Sequence, residues 1–459
     1  MIDVFDKIFS GINKSYYSIS TYSLAMQFSS IVSFIDCIYL QFIEFTQTFY
    51  NWKRYTMHTP HSITLILLLF LVACSEQNTK NTEITNSTSS LEFAKQEENS
   101  FLKRNADLDD DLSPIETLGK LLFFDTNLSE PAGQSCASCH FPQSGFAEPD
   151  KNLPVSEGVI LGNFGARNAL SASYVRTIPS FNLGATPAET SGGLFWDGRK
   201  LDLEDQAKAP FLNPLEMNNA SFESVVADVL IASYSPLFIS IFGQQAFDDP
   251  AIAYEYISQA IAAYERSAEL NAFNSKYDLF MSGDLALSPE ENLGLSLFIG
   301  KAQCAHCHVL DSQENPLAHD IFTNHKYANI GLPRNTNFPY DLMPPDTIDL
   351  GLGAITGNAE HNGKFKTPHL RNLEFTAPYM HNGIFETLEE VVHFYNTRDV
   401  HTHVLPPEVS ENMVTGLVGD LGLTPDEEEA IVEFLETLND GFQANGIAEN
   451  TSLDNEDIP

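Results

Sequence analysis

The sequence has few basic residues and few cysteines for its length. Its 459 residues include 24 Lys and Arg against 62 Asp and Glu, which gives a formal net charge of −38. Because such a chain repels a phosphate backbone, nucleic acid is not expected as a partner. With 43% hydrophobic and 19% charged residues, the composition excludes a disordered chain, a collagen-like repeat and a multispan membrane protein. The acidic excess favours solubility or the steering of a basic protein partner.

An apolar run near the N-terminus predicts export. It extends over the twelve residues from Ile63 to Cys74, ends in Leu-Val-Ala-Cys and is followed by polar residues. This length is typical of a signal peptide and too short for a membrane span. The ending resembles a bacterial lipobox, so we predict a start at Met57, a signal over residues 57–74 and a lipid anchor on Cys74. A cleaved signal without lipid and an uncleaved anchor are the alternatives.

The segments around this signal are predicted to lie outside the folded part. Residues 1–56 form a doubtful extension, in which the apolar but serine-broken stretch 15–35 is a rival transmembrane segment. Residues 75–100 are rich in Asn, Thr, Ser and Glu and predict a flexible linker. Residues 441–459 predict an acidic tail. The expected location is therefore the periplasm or cell envelope, with contact to the membrane only through the lipid anchor.

An internal repeat predicts two related domains. Leu-Ser-Pro-x-Glu-x-Leu-Gly begins at Leu112 and again at Leu287, and each copy precedes a Cys-x-x-Cys-His motif. Ser and Glu three residues apart, with Pro between them, are typical of a capping box at a helix start. Alternating strand patterns are scarce. We therefore predict an all-α fold with two tandem cytochrome c-type domains and long loops, over residues 101–284 and 285–440.

The cysteines of the folded region all lie in the two Cys-x-x-Cys-His motifs. Of the six cysteines, Cys37 and Cys74 precede the predicted domains, and the other four are Cys136, Cys139, Cys304 and Cys307. Two thiols at this spacing can form thioethers with one haem, and the following His is its axial iron ligand. A dithiol redox site, a four-Cys zinc site and disulfides are the competing interpretations. We predict two covalent haems c with His140 and His308 as iron ligands, and His306 as a surface or packing residue.

Several longer motifs resemble the bacterial di-haem cytochrome c peroxidases and their MauG-type relatives. The resemblance covers residues 110–440. It rests on Phe-Trp-Asp-Gly-Arg from Phe195, Asn-Pro-Leu-Glu-Met from Asn213, Phe-Lys-Thr-Pro-His-Leu-Arg-Asn from Phe365 and Thr-Ala-Pro-Tyr-Met-His-Asn-Gly from Thr376. The family resemblance implies that the N-terminal haem reacts with hydrogen peroxide and that the C-terminal haem relays electrons.

The resemblance also implies roles for individual residues. Glu216 matches the acid of the peroxide pocket, which moves protons during peroxide cleavage. Gln206 and Pro210 match the opposite wall of that pocket, and Trp196 matches the residue between the two haems. The family holds one calcium ion between its domains, and the matching positions are Asn168, Thr376 and Pro378.

Two positions depart from the typical peroxidase. That family carries a His that blocks the peroxidatic haem eight residues before the calcium-binding Asn, and Ile160 stands there. We therefore expect this haem to be open without prior reduction, as in the MauG-type branch. At the position of the distal Met of the other haem stands Tyr395, whose oxygen would stabilise the ferric state. His393, Met380 and Met413 are the rival ligands.

The sequence thus predicts a haem peroxidase that reduces hydrogen peroxide with electrons from a small cytochrome or another redox protein. A MauG-like enzyme that oxidises side chains of a partner protein is the first alternative. A non-enzymatic di-haem electron carrier or peroxide sensor is the second. A homodimer is compatible with the resemblance.

Overall fold

The computed structural model describes residues 112–310, 319–342, 344, 347–400 and 405–443. The predicted extension, signal peptide, lipid-bearing Cys74 and linker lie outside these residues, and so does the tail from residue 444 on. Within the described ranges no single helix is long and apolar enough to cross a membrane, although the bent pair Phe222–Ile231 and Ser235–Phe242 passes the same test together by length and composition.

The regular secondary structure of the described residues is almost entirely helical, and the expected all-α class is confirmed. One two-stranded antiparallel sheet joins β1 (Tyr327–Ala328) and β2 (Phe365–Lys366). The helices, in chain order, are α1 (Pro114–Phe124), α2 (Cys136–Cys139), α3 (Leu203–Ala207), α4 (Ala209–Leu212), α5 (Phe222–Ile231), α6 (Ser235–Phe242), α7 (Pro250–Glu265), α8 (Lys276–Ser282), α9 (Pro289–Ile299), α10 (Leu352–Thr356), α11 (Leu388–Thr397) and α12 (Pro425–Glu436).

Both predicted capping boxes are present at the starts of α1 and α9. The backbone N–H of Ser113 donates to Oε2 of Glu116 at 2.7 Å, and that of Ser288 donates to Oε2 of Glu291 at 2.7 Å. Each pair supplies an acceptor for an amide that the first helical turn leaves without one. The repeated sequence therefore folds into a repeated local structure.

The helix that follows each capping box crosses the last helix of its half in close contact. Gly119 of α1 lies against Ala260 of α7, where an added Cβ would stand 1.9 Å from the Ala260 carbonyl oxygen. Gly294 of α9 has the same relation to Ala430 of α12, also at 1.9 Å. Only glycine allows two helix backbones to approach this closely. The duplication thus includes the tertiary packing.

Aromatic rings fill the two cores beside these crossings. Phe123 packs edge-on against Tyr264 in the first half, with ring centroids 5.4 Å apart, and Phe298 packs against Phe434 in the second at 5.3 Å. The first core also holds Leu118, Leu122 and Phe211, all buried. Helix α8 lies before the boundary that the sequence suggested at residue 284, but its Tyr277 belongs to the second core.

Long irregular segments between these helices carry most of the motif residues. Arg167 fastens two of them together through ion pairs with Asp197 at 2.6 Å and with Asp349 at 2.7 Å. Arg371 is fully buried and pairs with Asp278 of α8 at 2.6 Å. A buried pair of this kind fixes the relative position of its segments, since removing one partner would leave an uncompensated charge.

Candidate functional site

The N-terminal Cys-x-x-Cys-His motif forms a single helical turn. Cys136 and Cys139 begin and end α2, and the N–H of His140 donates to the carbonyl oxygen of Cys136 at 2.9 Å. Nδ1 of His140 donates to the carbonyl oxygen of Phe146 at 3.2 Å. This bond places the ring proton on Nδ1, so that Nε2 keeps its lone pair for a metal. Burial lowers the pKa of His140, which also favours the neutral ligand form.

The C-terminal motif repeats the same arrangement. The N–H of His308 donates to the carbonyl oxygen of Cys304 at 2.9 Å, and its Nδ1 donates to the carbonyl oxygen of Phe322 at 2.9 Å. Phe146 and Phe322 both have left-handed backbones, with φ of 57° and 58°. Burial lowers the pKa of His308 to about 4. His306 is exposed, and its Nδ1 bonds to the Gln303 carbonyl oxygen, as expected for a residue that does not bind the iron.

A cavity adjoins each motif, and the side chains that line it show whether a haem could be held there. Cys136, Cys139 and His140 line a cavity of about 570 Å³, and Cys304, Cys307 and His308 line one of about 220 Å³. None of the four thiols is in a disulfide. Covalent haem attachment requires two thiols and a neutral imidazole that line the same apolar cavity. The donor set therefore fits one haem c in each half.

The first cavity also contains the predicted peroxide-pocket residues. Glu216, Gln206 and Pro210 all line it. Nδ2 of Asn213 donates to Oε1 of Glu216 at 2.8 Å, which orients the carboxyl group. Burial raises the pKa of Glu216, while the Asn213 hydrogen bond and the charge of Arg199 oppose that shift. The arrangement can hold a proton on Glu216 at a higher pH than an exposed glutamate can.

Trp196 lies where the two cavities meet. Its side chain lines both, and its Nε1–H donates to the carbonyl oxygen of Asn168 at 2.9 Å. The ring is 9% exposed and packs edge-on against His381 at 6.3 Å. His381 in turn stacks on Phe365 at 3.6 Å. The rings of Trp196 and His381, which both line the two cavities, thus lie next to each other.

Tyr395 of α11 lines the second cavity together with Cys304 and Cys307. Its pKa is raised by burial and, to a lesser extent, by the two thiols. Of the rival ligands, Met380 lines the same cavity, whereas Met413 is not among its lining residues.

His393 faces away from that cavity, although it lies only two residues from Tyr395. Its side chain is 55% exposed and its Nδ1 lies 3.1 Å from Oε2 of Glu428 on α12. On a helix, residues two apart point roughly 200° away from each other. Tyr395 and His393 therefore cannot both reach the cavity from α11.

The three predicted calcium positions line one cavity. Asn168, Thr376 and Pro378 all border the second cavity. The side chain of Asn168 donates through Nδ2 to the carbonyl oxygen of Pro154 at 3.1 Å, so its Oδ1 is the atom available to a cation. In the described part of the chain no group of three or more His, Cys, Asp or Glu side chains could hold a metal ion.

Two buried ionisable residues of the cavity walls were not predicted from the sequence. Lys366 lines both cavities, and its ammonium donates to the Gly193 carbonyl oxygen at 2.5 Å. Burial lowers the pKa of Lys366 to about 7. Glu265, the last residue of α7, lines the first cavity. Lys366 lies in the motif that begins at Phe365. Glu265 could have been identified by aligning the two copies of the internal repeat.

Comparison with known proteins agrees with this geometry. The family described as di-haem cytochrome c peroxidase matches residues 114–286. The methylamine utilization protein MauG of Paracoccus denitrificans is 37% identical over 345 residues, which are 71% of this chain and 88% of that protein. The cytochrome-c peroxidase IdrP1 of a Pseudomonas species is 29% identical over 70% of this chain and 80% of its own length.

Among solved structures, the diheme peroxidase BthA of Burkholderia thailandensis superimposes with a TM-score of 0.65 at 32% identity, over 72% of this chain and 90% of that one. The match to the family model contains the first Cys-x-x-Cys-His motif, and the matches to the relatives and to this solved structure cover 70–72% of the chain. The chain therefore belongs to the di-haem cytochrome c peroxidase and MauG family of oxidoreductases, whose members carry two haems c.

Proposed function

We propose that the protein reduces hydrogen peroxide to water at its N-terminal haem, with electrons that a small cytochrome or another redox protein delivers. The observation that carries this proposal is the position of Glu216. The half-buried carboxyl group of Glu216, oriented by Asn213, lines the same cavity as Cys136, Cys139 and His140. An electron carrier has no need of a proton-transfer group beside its haem.

A haem held by Cys136, Cys139 and His140 would supply the iron site for peroxide and would pass on the electrons of the donor protein. Glu216 accepts the proton of one peroxide oxygen and returns it to the other, which leaves as water. With two electrons and two protons per peroxide, the products are two water molecules. The raised pKa of Glu216 suits both steps, because proton transfer is most efficient when the pKa is near the operating pH. Gln206 and Pro210 shape the wall beside it.

Trp196 is proposed as the bridge for electrons between the two haems. Its contact with both cavities and its fixed orientation, held by the Asn168 carbonyl oxygen, support this role. The proposed calcium ion would bind close by, through Asn168, Thr376 and Pro378. A cation there would hold the segments that carry Trp196 and the second cavity in register.

The N-terminal site is proposed to be open in the oxidised protein. Ile160 is 37% exposed and does not line the first cavity, and no His stands between residues 141 and 196. Tyr395 would be a second protein ligand of the C-terminal haem iron, because Tyr395 lines the second cavity and His393 does not. Export to the periplasm, with a lipid on Cys74, completes the proposal.

Steady-state turnover tests the proposed reaction. Purified di-haem protein, mixed with a reduced small cytochrome c and hydrogen peroxide, should oxidise two cytochromes for each peroxide consumed. Protein in which both haems are attached but which oxidises no cytochrome would contradict the proposal.

A MauG-like reaction is the second candidate. It is favoured by Tyr395 in the second cavity and by the 37% identity to the Paracoccus protein. In this reaction the electrons for peroxide come from side chains of a partner protein. Turnover with a protein substrate but not with a reduced cytochrome would favour this alternative.

A further inference from the structure

The first cavity contains a second buried carboxyl group, which the proposed proton transfer to peroxide does not use. Glu265 is 6% exposed and lines the cavity together with Cys136. Its Oε2 has no hydrogen-bond partner among the described residues. A buried carboxylate without partners is costly, and such a group becomes neutral by holding a proton.

The neighbouring cation does not neutralise Glu265. The guanidinium of Arg266 turns outward and binds both oxygens of Glu204, at 2.7 and 2.8 Å. Burial raises the pKa of Glu265 to about 8, with Arg266 lowering it and Glu204 raising it to smaller extents. At neutral pH the carboxyl group therefore holds its proton but is close to the point of releasing it.

The second half of the protein shows that the haem fold does not require this acid. The glycine crossings set α7 and α12 in the same register, with Ala260 matching Ala430 and Tyr264 matching Phe434. The next residue is Glu265 in α7 and Leu435 in α12. Both line the cavity of their own half. One half therefore holds leucine where the other places a carboxyl group.

We propose that Glu265 is the proton partner of the N-terminal haem: wherever the pH leaves its carboxyl group ionised in the oxidised protein, it takes up one proton when an electron arrives at that site and releases it when the electron leaves. The electron comes from the redox protein that serves as donor, the proton comes from solvent, and the only bond made or broken is the O–H bond of the carboxyl group. An added negative charge in a low-dielectric cavity favours the neutral carboxyl group, which couples the two events. This inference rests on the part of the proposed function that attaches haem at Cys136 and Cys139.

The other titratable groups near Glu265 are either held in bonds of their own or can be told apart from Glu265 by mutation. Cys136 would be consumed in the thioether bond. Arg266 and Glu204 pair with each other, and Lys120 pairs with Glu269 at 2.9 Å beyond the end of α7. Glu216 and Lys366 line the same cavity and could mimic the effect, so both are kept in every variant.

Redox titration at several pH values tests the proposal. After haem counting shows two haems per chain, the midpoint potential of the N-terminal haem is followed through its own absorption bands. In the native protein the potential should fall by up to about 59 mV per pH unit, the one-electron value for a tenfold change, over a range that begins near pH 8, where Glu265 ionises in the oxidised protein, and ends at the higher pH where it ionises in the reduced protein. Glu265→Gln and Glu265→Leu should remove this dependence. Glu255→Gln, an ion-paired residue on the exposed side of the same helix, should keep it.

Two outcomes would overturn the inference. If both Glu265 variants carry two haems and keep the native slope, the proton is bound elsewhere. If the variants do not retain haem, the infrared difference spectrum of the native protein decides, because a reduced-minus-oxidised spectrum without a new protonated carboxyl band rules Glu265 out. A native chain with fewer than two haems would instead contradict the proposed function itself.

Discussion

Replacing Glu216 by Gln is the most direct test of the proposed peroxide chemistry. The amide keeps the size of the side chain and an oxygen that can accept from Nδ2 of Asn213, which now donates to Oε1 of Glu216 at 2.8 Å. The cavity should therefore keep its shape, and only the ability to carry a proton is lost. A lost acid–base group costs roughly 10²- to 10⁴-fold in rate, or about 3 to 5 kcal/mol of transition-state stabilisation.

The pH dependence of the rate of the reaction with peroxide gives a second test, whose direction can be predicted. Glu216 must be ionised to accept the first proton, and burial raises its pKa. The rate of the reaction with peroxide should therefore fall as the pH drops through that raised pKa, and the fall should begin at a higher pH than for an exposed glutamate. In Glu216→Gln this acid limb should disappear. In Asn213→Ala it should move to still higher pH, because the lost hydrogen bond stabilises the carboxylate.

The assay is stopped-flow mixing with peroxide, with turnover measured in parallel and haem content checked for each variant. Glu157→Gln is the matched control, since Glu157 lines the same cavity but accepts from the backbone of Gly162 at 2.7 Å. The control should react at the native rate. A Glu216→Gln protein within a few-fold of the native rate would remove Glu216 from the mechanism.

Three further predictions follow from the ligand positions and the packing. Tyr395→Phe should convert the low-spin haem to high spin, whereas Tyr395→Met should keep it low spin and raise its potential, because a neutral thioether favours Fe(II). An intact low-spin signal in Tyr395→Phe would refute the assignment of Tyr395 as ligand. The control variant His393→Gln should change neither the spectrum nor the potential. The fully oxidised protein should react with peroxide in stopped-flow without added electrons, since Ile160 offers no iron ligand, and no spectral change before reduction would contradict this. Gly294→Ala should lower the free energy of unfolding in denaturant by about 1–3 kcal/mol through overpacking against Ala430, whereas Ser296→Ala on the exposed face of the same helix should have little effect.

Local signals in the sequence predicted the fold well, because each is satisfied within a few residues. The capping boxes at Ser113 and Ser288, for example, form within one helical turn. The close helix crossings were not predicted. Glycine at position 119 or 294 has no local meaning in a helix, and its role depends on a partner helix more than 100 residues away.

The candidate ligands of the second cavity show why side-chain direction was harder to predict. Tyr395 and His393 stand on one helix, so periodicity alone indicates that only one of them faces the interior. Which one does so depends on where α12 packs, and Glu428 of α12 pairs with His393 at the surface. Met380 stands in an irregular segment with φ of 75°, where no periodicity applies. Spacing along the chain therefore left four candidates, and packing reduces them to two in the cavity, Tyr395 and Met380.

The duplication separates what a haem c site needs from what each site does. Features common to both halves, such as the carbonyl oxygens of Phe146 and Phe322 that accept from the histidines, concern attachment and ligand orientation. Features found in one half alone concern what that half does. The carboxyl groups of Glu216 and Glu265, which both line the first cavity, are features of this kind. A buried acid costs stability wherever it stands, so two acids in one cavity indicate a demand for protons there. Peroxide reduction consumes protons and electron relay does not. Glu265 thus adds to the support that Glu216 gives for assigning the reaction with peroxide to the N-terminal half.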